Sequence, residues 1–293
     1  MNRRDVIAAS AIGLSLSACV GSKQPKRNNE QIVSALSGFA VNVESWWADL
    51  SFDTRFDMAA KSGFEHVEFW FIDSWNRDVK ALARHASDAG VKISQIVADA
   101  PALADLKNKD AYLESVKRAI DNAHTLDTKI VTVTGHQDID GIAAVDALKA
   151  YQDNIAASAP LWEAANIYCA IEPFNPYDHP GHFIYGHADA LSICQQINSP
   201  FVKLNWDLFH MQRYEGNLIT HFEKGADHVA YVQLADSPAR HQPGTGEVNY
   251  QPVLEAVRTQ GYKDPIGLEL WAKDKDYARA LEAVIRLGEA ISM

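Results

Sequence analysis

The chain has 293 residues, of which 47% are hydrophobic and 22% charged, and this composition is typical of a folded globular protein rather than a disordered or collagen-like one. Its 27 lysines and arginines against 38 aspartates and glutamates give a formal net charge of −11, which argues against non-specific binding of nucleic acid. Three cysteines are too few for a disulfide framework.

The first predicted element is an export signal. Arg3 and Arg4 precede an apolar run over 6–18, which is too short to span a bilayer. Positive charge, a short apolar stretch and small residues before a cut are typical of a signal peptide. Residues 16–19 (LSAC) resemble a bacterial lipobox, so Cys19 is predicted to carry a lipid anchor, and the location is predicted to be periplasmic. The arginine pair resembles a twin-arginine signal, and export by the general secretory route stays open.

The chain is accordingly divided into three parts. Residues 1–18 are the predicted signal peptide, and residues 19–37 are a predicted flexible tether because they are largely polar. Residues 38–293 form one predicted domain, since no change of composition marks a second one. The only predicted contact with a membrane is the lipid on Cys19.

From residue 38 onward, a short β-rich run followed by an amphipathic helix recurs eight times. Residues 130–133 (IVTV) are apolar on both faces, as in buried parallel strands, and residues 79–86 show the apolar spacing of a helix with one buried face. The predicted strands are 39–46, 65–71, 91–98, 128–135, 167–174, 202–208, 229–235 and 265–271. The predicted helices are 52–62, 76–89, 108–125, 143–166, 187–197, 213–226, 251–260 and 275–290.

Eight strand–helix units predict an α/β fold of the (β/α)₈ or TIM-barrel type. The alternative is an open, doubly wound sheet. Such a sheet usually carries a glycine-rich phosphate turn after a strand, and the sequence has neither a GxGxxG nor a Walker A motif.

Polar side chains end the last four predicted strands. Glu172, Asp207, Gln233 and Glu269 follow the apolar parts of the fifth to eighth strands, and in a barrel they would meet at the C-terminal mouth. Three carboxylates there repel one another unless a cation lies between them. All-oxygen donors suit one divalent ion such as Mg²⁺ or Mn²⁺, with Co²⁺ possible, better than zinc. The alternative is that each acid pairs separately with a lysine or arginine.

Other side chains near the predicted mouth are candidate substrate contacts. They are Glu68 and Trp70 after the second strand, His136 after the fourth, and His210 after the sixth. Each can instead be an ordinary buried polar residue. Trp46 and Trp47, at the end of the first strand, either stack on a sugar-sized ligand or pack in the core. His182 and His187 receive no assignment.

A long loop follows the seventh strand at 236–250 (DSPARHQPGTGEVNY). Gly244 and Gly246 permit tight turns, and the prolines stiffen the chain. Arg240 offers a planar charged fork that suits a carboxylate, so it is predicted to bind a polar group of the substrate, and the alternative is a surface salt bridge. A loop of this length is predicted to position substrate and exclude water at the mouth.

Together these segments resemble the hydroxypyruvate isomerase family, within the xylose-isomerase-like superfamily of sugar isomerases and epimerases. The resemblance covers about 38–290 and is carried by 171–175 (IEPFN), 207–212 (DLFHMQ), 233–240 (QLADSPAR), 243–250 (PGTGEVNY) and 267–269 (GLE). It implies a TIM barrel with one divalent metal held by Glu172, Asp207, Gln233 and Glu269. It also implies that the two glutamates are the acid/base pair.

The chain departs from the family pattern in two ways. Ala239 and Gln242 stand where the resemblance leads us to expect Gly and Glu. The export signal is unlike the usual cytoplasmic members, and it points to a substrate other than hydroxypyruvate.

The predicted function is a metal-dependent aldose–ketose isomerase of the hydroxypyruvate isomerase type, acting on a small sugar or hydroxy-keto acid. One of Glu172 and Glu269 removes a carbon-bound proton to form an enediolate, and the other returns one. The alternatives are a ketose 3-epimerase or a lyase on an oxidised sugar, and a non-catalytic periplasmic sugar-binding lipoprotein. A nuclease of the endonuclease IV type would need a histidine-rich zinc cluster and a cationic surface. No nucleic-acid partner is expected, and the oligomeric state stays open.

Overall fold

A computed structural model describes residues 27–291. The predicted signal peptide and the predicted lipidation site, Cys19, lie outside the described residues, so the anchor and the periplasmic location stay predictions. Within 27–291, no helix combines the length and the apolar character needed to cross a bilayer.

Eight parallel strands close into a barrel in the order β1 to β8, which confirms the predicted TIM barrel. The register closes at the first strand, where Ala40 pairs with His66 of β2 on one side and with Gly267 of β8 on the other. The strands are β1 Phe39–Asn42, β2 His66–Glu68, β3 Lys92–Val97, β4 Ile130–Val133, β5 Tyr168–Ile171, β6 Val202–Asp207, β7 Val229–Gln233 and β8 Ile266–Leu268.

Ten α-helices cover the barrel in the described part of the chain. They are α1 Asn29–Leu36, α2 Phe52–Ser62, α3 Val79–Ala89, α4 Lys109–Thr125, α5 Ala144–Ala165, α6 His187–Ile197, α7 Leu208–Tyr214, α8 Leu218–Gly225, α9 Tyr250–Thr259 and α10 Tyr277–Ala290. Local chemistry sets their ends. The Asp78 side chain accepts hydrogen bonds from the first turn of α3, and Gly90 ends that helix with φ 77°, a left-handed conformation that favours glycine.

The structure differs from the predicted tether over 27–37, because helix α1 lies there. Leu36 is fully buried, and α1 packs closely on α10: a Cβ on Gly288 would lie 1.9 Å from the Ala35 carbonyl oxygen. Arg27 also pairs with Glu289 at 2.6 Å. Polar composition therefore hid a short helix that is stabilised by tertiary contact.

A second difference concerns α7, which begins directly after β6. The sequence predicted a strand to residue 208 and a helix only from 213. In the structure, the Asp207 carboxylate accepts the Phe209 N–H at 2.8 Å and caps α7, so the strand ends at the acid itself.

Several other side chains prove to belong to the core. Trp46 and Trp47 are buried and pack against each other, with ring centroids 5.5 Å apart, so they form no wall of the mouth. Cys169 and Cys194 are buried thiols.

Candidate active site at the barrel mouth

A cavity of about 550 Å³ lies at the C-terminal ends of the strands. A volume of this size is in the usual range for small-molecule sites. Its walls combine aromatic side chains with acids, histidines and one arginine, namely Trp70, Phe71, Phe174, Trp271, Glu172, Asp178, Glu269, His179, His182, His210 and Arg240, together with Val97, Thr134, Gln137 and Gln233.

Glu172 follows β5 and faces this cavity with a side chain that is 8% exposed. Burial raises the pKa of its carboxyl well above the usual range, and the nearby Glu269 and Asp207 raise it further. Among the described residues, no lysine or arginine lies within 4 Å of this carboxylate. Glu172 is therefore an acid that favours its protonated form.

Arg240 joins the other two acids of the mouth. Its Nη2 lies 2.8 Å from Asp207 Oδ2 and 3.0 Å from Glu269 Oε1. Burial raises the pKa of Glu269 to about 8, against the opposing effect of the arginine. Burial raises the pKa of Asp207 as well, and again the arginine opposes it. The predicted fork-to-carboxylate contact of Arg240 is thus made to the chain's own acids.

Gln233 lies between this group and the barrel interior. Its amide nitrogen donates to Glu269 Oε2 at 2.5 Å and to Glu68 Oε1 at 3.1 Å, and its Oε1 accepts from Asn205 at 2.7 Å. The predicted ligand residue is therefore at the mouth, but its oxygen is engaged by Asn205.

Glu68 was predicted to touch substrate, and the structure corrects this. It is fully buried inside the barrel below Gln233 and does not line the cavity. Asn42 and Gln95 donate to its two oxygens at 3.1 and 3.4 Å. The sequence could not show whether Glu68 faces the barrel interior or the mouth, because β2 is only three residues long. Trp70, two residues further on, does line the cavity.

His136 is the second correction. It is fully buried and stands behind the wall of the cavity rather than facing it. Its Nε2 lies 2.9 Å from the main-chain oxygen of Glu172, and its Nδ1 lies 3.1 Å from His182 Nδ1. Burial lowers its pKa to about 3, so it is a neutral residue that supports the β5 end.

His210 faces the cavity, and its hydrogen-bond partner fixes its tautomer. Asn175 Oδ1 accepts the main-chain N–H groups of Tyr177 and Asp178, so its Nδ2 must face His210 Nδ1, at 2.7 Å. A donor opposite Nδ1 makes that nitrogen the acceptor, which leaves the proton on Nε2. Burial lowers the pKa of the ring well below its usual range. His210 is therefore a neutral N–H donor.

The proton on His210 Nε2 has no hydrogen-bond partner in the described part of the chain. The Nε2 atom itself lies 3.5 Å from Asp207 Oδ2 and 3.7 Å from Glu172 Oε1. Since buried donors normally have partners, this one is free to serve a ligand oxygen. A metal ligand would need the lone pair that this tautomer lacks.

The loop over 236–250 is organised by an aspartate whose role the sequence did not reveal. The carboxylate of Asp236 accepts four main-chain N–H groups of the loop, from Gly244, Thr245, Gly246 and Val248, at 2.8 to 3.1 Å. A Cβ on Gly246 would lie 1.9 Å from the Ser237 carbonyl oxygen, so only glycine permits this closure.

The loop in turn fixes Arg240. Its carbonyl oxygen accepts the Trp271 N–H at 2.9 Å, and its guanidinium lies 4.8 Å from the Phe209 ring centroid. The loop therefore holds the arginine against the acids, as expected of a segment that positions polar groups at the mouth.

Several cavity residues were missed, among them His179, His182 and Trp271. His179 and His182 lie in the segment that joins β5 to α6, and Trp271 follows β8. Irregular segments have no periodic pattern that tells which side chains turn inward. Their adjacency to the strand ends was the available signal.

The donor chemistry of the mouth fits a divalent cation. Glu172, Asp207 and Glu269 carry three negative charges when ionised, and Arg240 supplies one positive charge. When ionised, the three acids therefore carry more negative charge than Arg240 neutralises, and a second cation between them would offset their repulsion. Carboxylate oxygens are the donors that Mg²⁺ and Mn²⁺ prefer.

Comparison with known proteins places this chain among isomerases. Residues 56–287 match the family described as the xylose isomerase-like TIM barrel. The chain is 28% identical to a hydroxypyruvate isomerase of Escherichia coli, over 79% of this chain and 92% of that protein. It is 29% identical to a 2-oxo-tetronate isomerase of Cupriavidus necator, over 79% of this chain and 91% of that protein.

Among solved structures, an AP endonuclease of family 2 from Brucella melitensis superposes with a TM-score of 0.76 at 25% identity. The match covers 81% of this chain and 94% of that one. The 3-keto-D-glucoside 4-epimerase of Escherichia coli shares the fold, with a TM-score of 0.74 at 17% identity over 86% of this chain and 98% of that one.

Proposed function

The chain belongs to the xylose isomerase-like TIM-barrel family and is an isomerase, and from this premise we propose that it interconverts aldose and ketose forms of a small hydroxy-carbonyl compound. The substrate class is a sugar or a hydroxy-keto acid, as the names of its relatives suggest. The reaction moves a proton between neighbouring carbons through an enediolate.

One observation carries this proposal: two buried glutamates face one cavity in different surroundings. Glu269 is paired with Arg240 at 3.0 Å, whereas Glu172 has no arginine or lysine within 4 Å among the described residues. Two carboxyls whose surroundings differ in this way suit the roles of base and acid. Because the adjacent Arg240 favours the ionised form of Glu269, we assign Glu269 as the group that removes the proton and Glu172 as the group that returns one.

Two further groups stabilise the negative charge that develops on the substrate oxygens. His210 aims an unpartnered N–H into the cavity, and Arg240 lies beside it at the wall. Donors that are fixed before the reaction stabilise developing charge without having to reorganise. The loop over 236–250 and the aromatic side chains of Trp70 and Trp271 shield the reacting groups from water.

A divalent ion, Mg²⁺ or Mn²⁺ with Co²⁺ as a further possibility, would supply a Lewis acid at the substrate oxygens. Its ligands would be Glu172, Asp207, Gln233 and Glu269. Gln233 would then present its amide oxygen, which requires that its contact with Asn205 be given up.

Two other reactions are compared with these residues, a 3-epimerisation and a phosphodiester cleavage. A 3-epimerase would use the same two glutamates, and only its products would differ. A nuclease must bind phosphates, but the described wall of this cavity carries three acids and a single arginine that two acids already engage. Such a wall repels a polyanion.

The experiment is proton exchange followed by NMR in D₂O, with a panel of small aldoses, ketoses and hydroxy-keto acids and with protein loaded with Mn²⁺. We expect deuterium at the carbon next to the carbonyl of one substrate, together with the aldose or ketose partner. We also expect about one Mn²⁺ per chain, lost in Asp207→Asn. A folded, manganese-loaded protein that exchanges no carbon-bound proton in the panel would overturn the proposal, and a product epimeric at C3 would favour the epimerase.

A further inference from the structure

A second group of ligand-type side chains lies outside the cavity. His187 begins α6, Glu215 follows α7, and His221 lies within α8. One nitrogen or oxygen atom from each lies within 4.8 Å of the others. We propose that His187, Glu215 and His221 bind a divalent transition-metal ion of the zinc class, at a site separate from the barrel mouth.

The donor atoms are spaced almost as such a site requires. His187 Nδ1 and His221 Nδ1 lie 2.7 and 3.7 Å from the same oxygen, Oε1 of Glu215. With bonds of about 2.0 to 2.2 Å, a tetrahedral zinc ion holds its ligands about 3.3 Å apart. The three atoms therefore need only small side-chain rotations, of a few tenths of an ångström to about one ångström, to surround an ion.

His221 supplies an independent sign that a partner is missing. Its Nδ1 is buried and has no hydrogen-bond partner among the described residues. The two imidazoles stack with ring centroids 4.4 Å apart, which holds both Nδ1 atoms toward Glu215. A buried imidazole nitrogen without a hydrogen-bond partner, facing a carboxylate, is what a metal ion would satisfy.

The backbone brings Glu215 to this place by a close approach. Its Oε1 also accepts the main-chain N–H of His187 at 3.0 Å. Gly186 precedes that residue with φ 66°, and a Cβ there would lie 2.7 Å from the Tyr214 ring and 2.9 Å from Glu215 Oε2. Only glycine permits the start of α6 to lie against the end of α7, so the three donors are assembled by a constrained backbone.

The donor set selects the ion. Two imidazoles and one carboxylate form a ligand set that zinc uses in proteins, whereas Mg²⁺ prefers oxygen alone. The three side chains are 13 to 17% exposed, so an ion can enter from solvent and keep a water as its fourth ligand. The barrel mouth, with its three acids, suits the harder ions.

An ion here would connect α6 to α7 and α8. The segment from β5 to α6 carries Phe174, His179 and His182 into the cavity, and it ends at His187. A metal cross-link at that end would hold the segment in place, so the site is structural and acts on the cavity wall from outside.

The test uses the full chain with Glu172→Gln and Asp207→Asn already introduced, so that the barrel mouth is silenced. Zn²⁺ binding is measured by equilibrium dialysis, and Co²⁺ binding by visible absorption. We expect about one Zn²⁺ per chain in this background and the strong absorption of tetrahedral Co²⁺. Adding His187→Ala or His221→Ala should weaken zinc binding by at least about 10- to 100-fold.

Two further variants complete the test. His85→Ala is the matched control, because His85 also faces a carboxylate, that of Asp53 at 3.4 Å, but with no second histidine beside it. It should bind zinc like the background. Glu215→Gln keeps an acceptor for the His187 N–H and should fold, yet it should lose the tetrahedral Co²⁺ spectrum. Equal zinc binding in the His187, His221 and His85 variants overturns the proposal and leaves the isomerase proposal untouched.

Discussion

Two groups of buried acid lie on the barrel axis, one above the other, and they differ in their partners rather than in their burial. The lower one is Glu68, whose oxygens accept neutral amide N–H groups from Asn42, Gln95 and Gln233. The upper one comprises Glu172, Asp207 and Glu269, which face one another and a single arginine.

This difference in partners distinguishes an acid with a structural role from the acids that face the cavity. Glu68 belongs to a network of side-chain amides that fills the barrel interior, and such a network specifies packing. The upper acids leave a neutral donor, His210 Nε2, without a partner and adjoin an open cavity. Burial alone therefore does not identify an active-site acid in this barrel, and the partners of each acid must be compared.

The largest effect should come from the upper acids. Glu172→Gln and Glu269→Gln each remove one proton-transfer group while keeping its shape, so turnover should fall about 10²- to 10⁴-fold. Circular dichroism and thermal melting should stay close to wild type. Turnover near the wild-type rate in either variant, in the NMR assay, would remove that glutamate from the acid/base pair.

A smaller loss should follow when the His210 proton moves. Asn175→Asp keeps an oxygen for the main-chain N–H groups of Tyr177 and Asp178 but places a carboxylate opposite His210 Nδ1. The proton should then shift to Nδ1, and turnover should fall about 10²-fold because Nε2 no longer donates. Nitrogen-15 NMR of the imidazole reports the tautomer directly. A shifted tautomer with unchanged turnover would contradict the donor role.

Loosening the loop should cost less. Asp236→Asn removes one of the two oxygens that hold the loop N–H groups, so Arg240 should lose part of its fixed position. We expect kcat/KM to fall about 10- to 100-fold, since small misplacements of polar groups are costly. Asp274→Asn, an exposed acid on the loop after β8, is the control and should behave as wild type. Equal activity in the two variants would show that the position of Arg240 does not depend on the hydrogen bonds of Asp236.

The smallest effect on turnover should come from Glu68, which instead affects stability. Burial raises its pKa to about 7, against about 4.3 in an unfolded chain. The stability from its protonated form is therefore complete below about pH 4.3 and is lost as the pH rises through 7. Between pH 4 and 8, the free energy of unfolding of the wild type should fall by on the order of 3 kcal/mol relative to that of Glu68→Gln.

This comparison is made by urea unfolding of the metal-free proteins at several pH values. Glu68→Gln should reduce turnover by less than about tenfold, because Glu68 acts only through Gln233. If the free energies of unfolding of the two proteins changed in parallel between pH 4 and 8, Glu68 would not titrate in this pH range.

Much of the fold could be predicted because strand and helix periods recur through the chain. The helices predicted at 52–62 and 187–197 match the structure residue for residue, and the strand predicted at 128–135 contains β4. Helix α1 could not be predicted, because its stability comes from α10, more than 240 residues away in the sequence. The early start of α7 depends on the Asp207 cap, a residue that also ends a strand and serves the mouth.

The sequence by itself determined the barrel and the acids at the ends of its last strands, because both follow from short-range patterns and from the rule that parallel strand ends converge. Only the tertiary structure decided which acid has which partner. In the structure, Arg240 pairs with Asp207 and Glu269, and Glu172 has no lysine or arginine partner among the described residues. Glu68 and His136 lie outside the cavity. Contacts between residues that lie tens of positions apart in the sequence depend on tertiary packing, so no local sequence pattern predicts them.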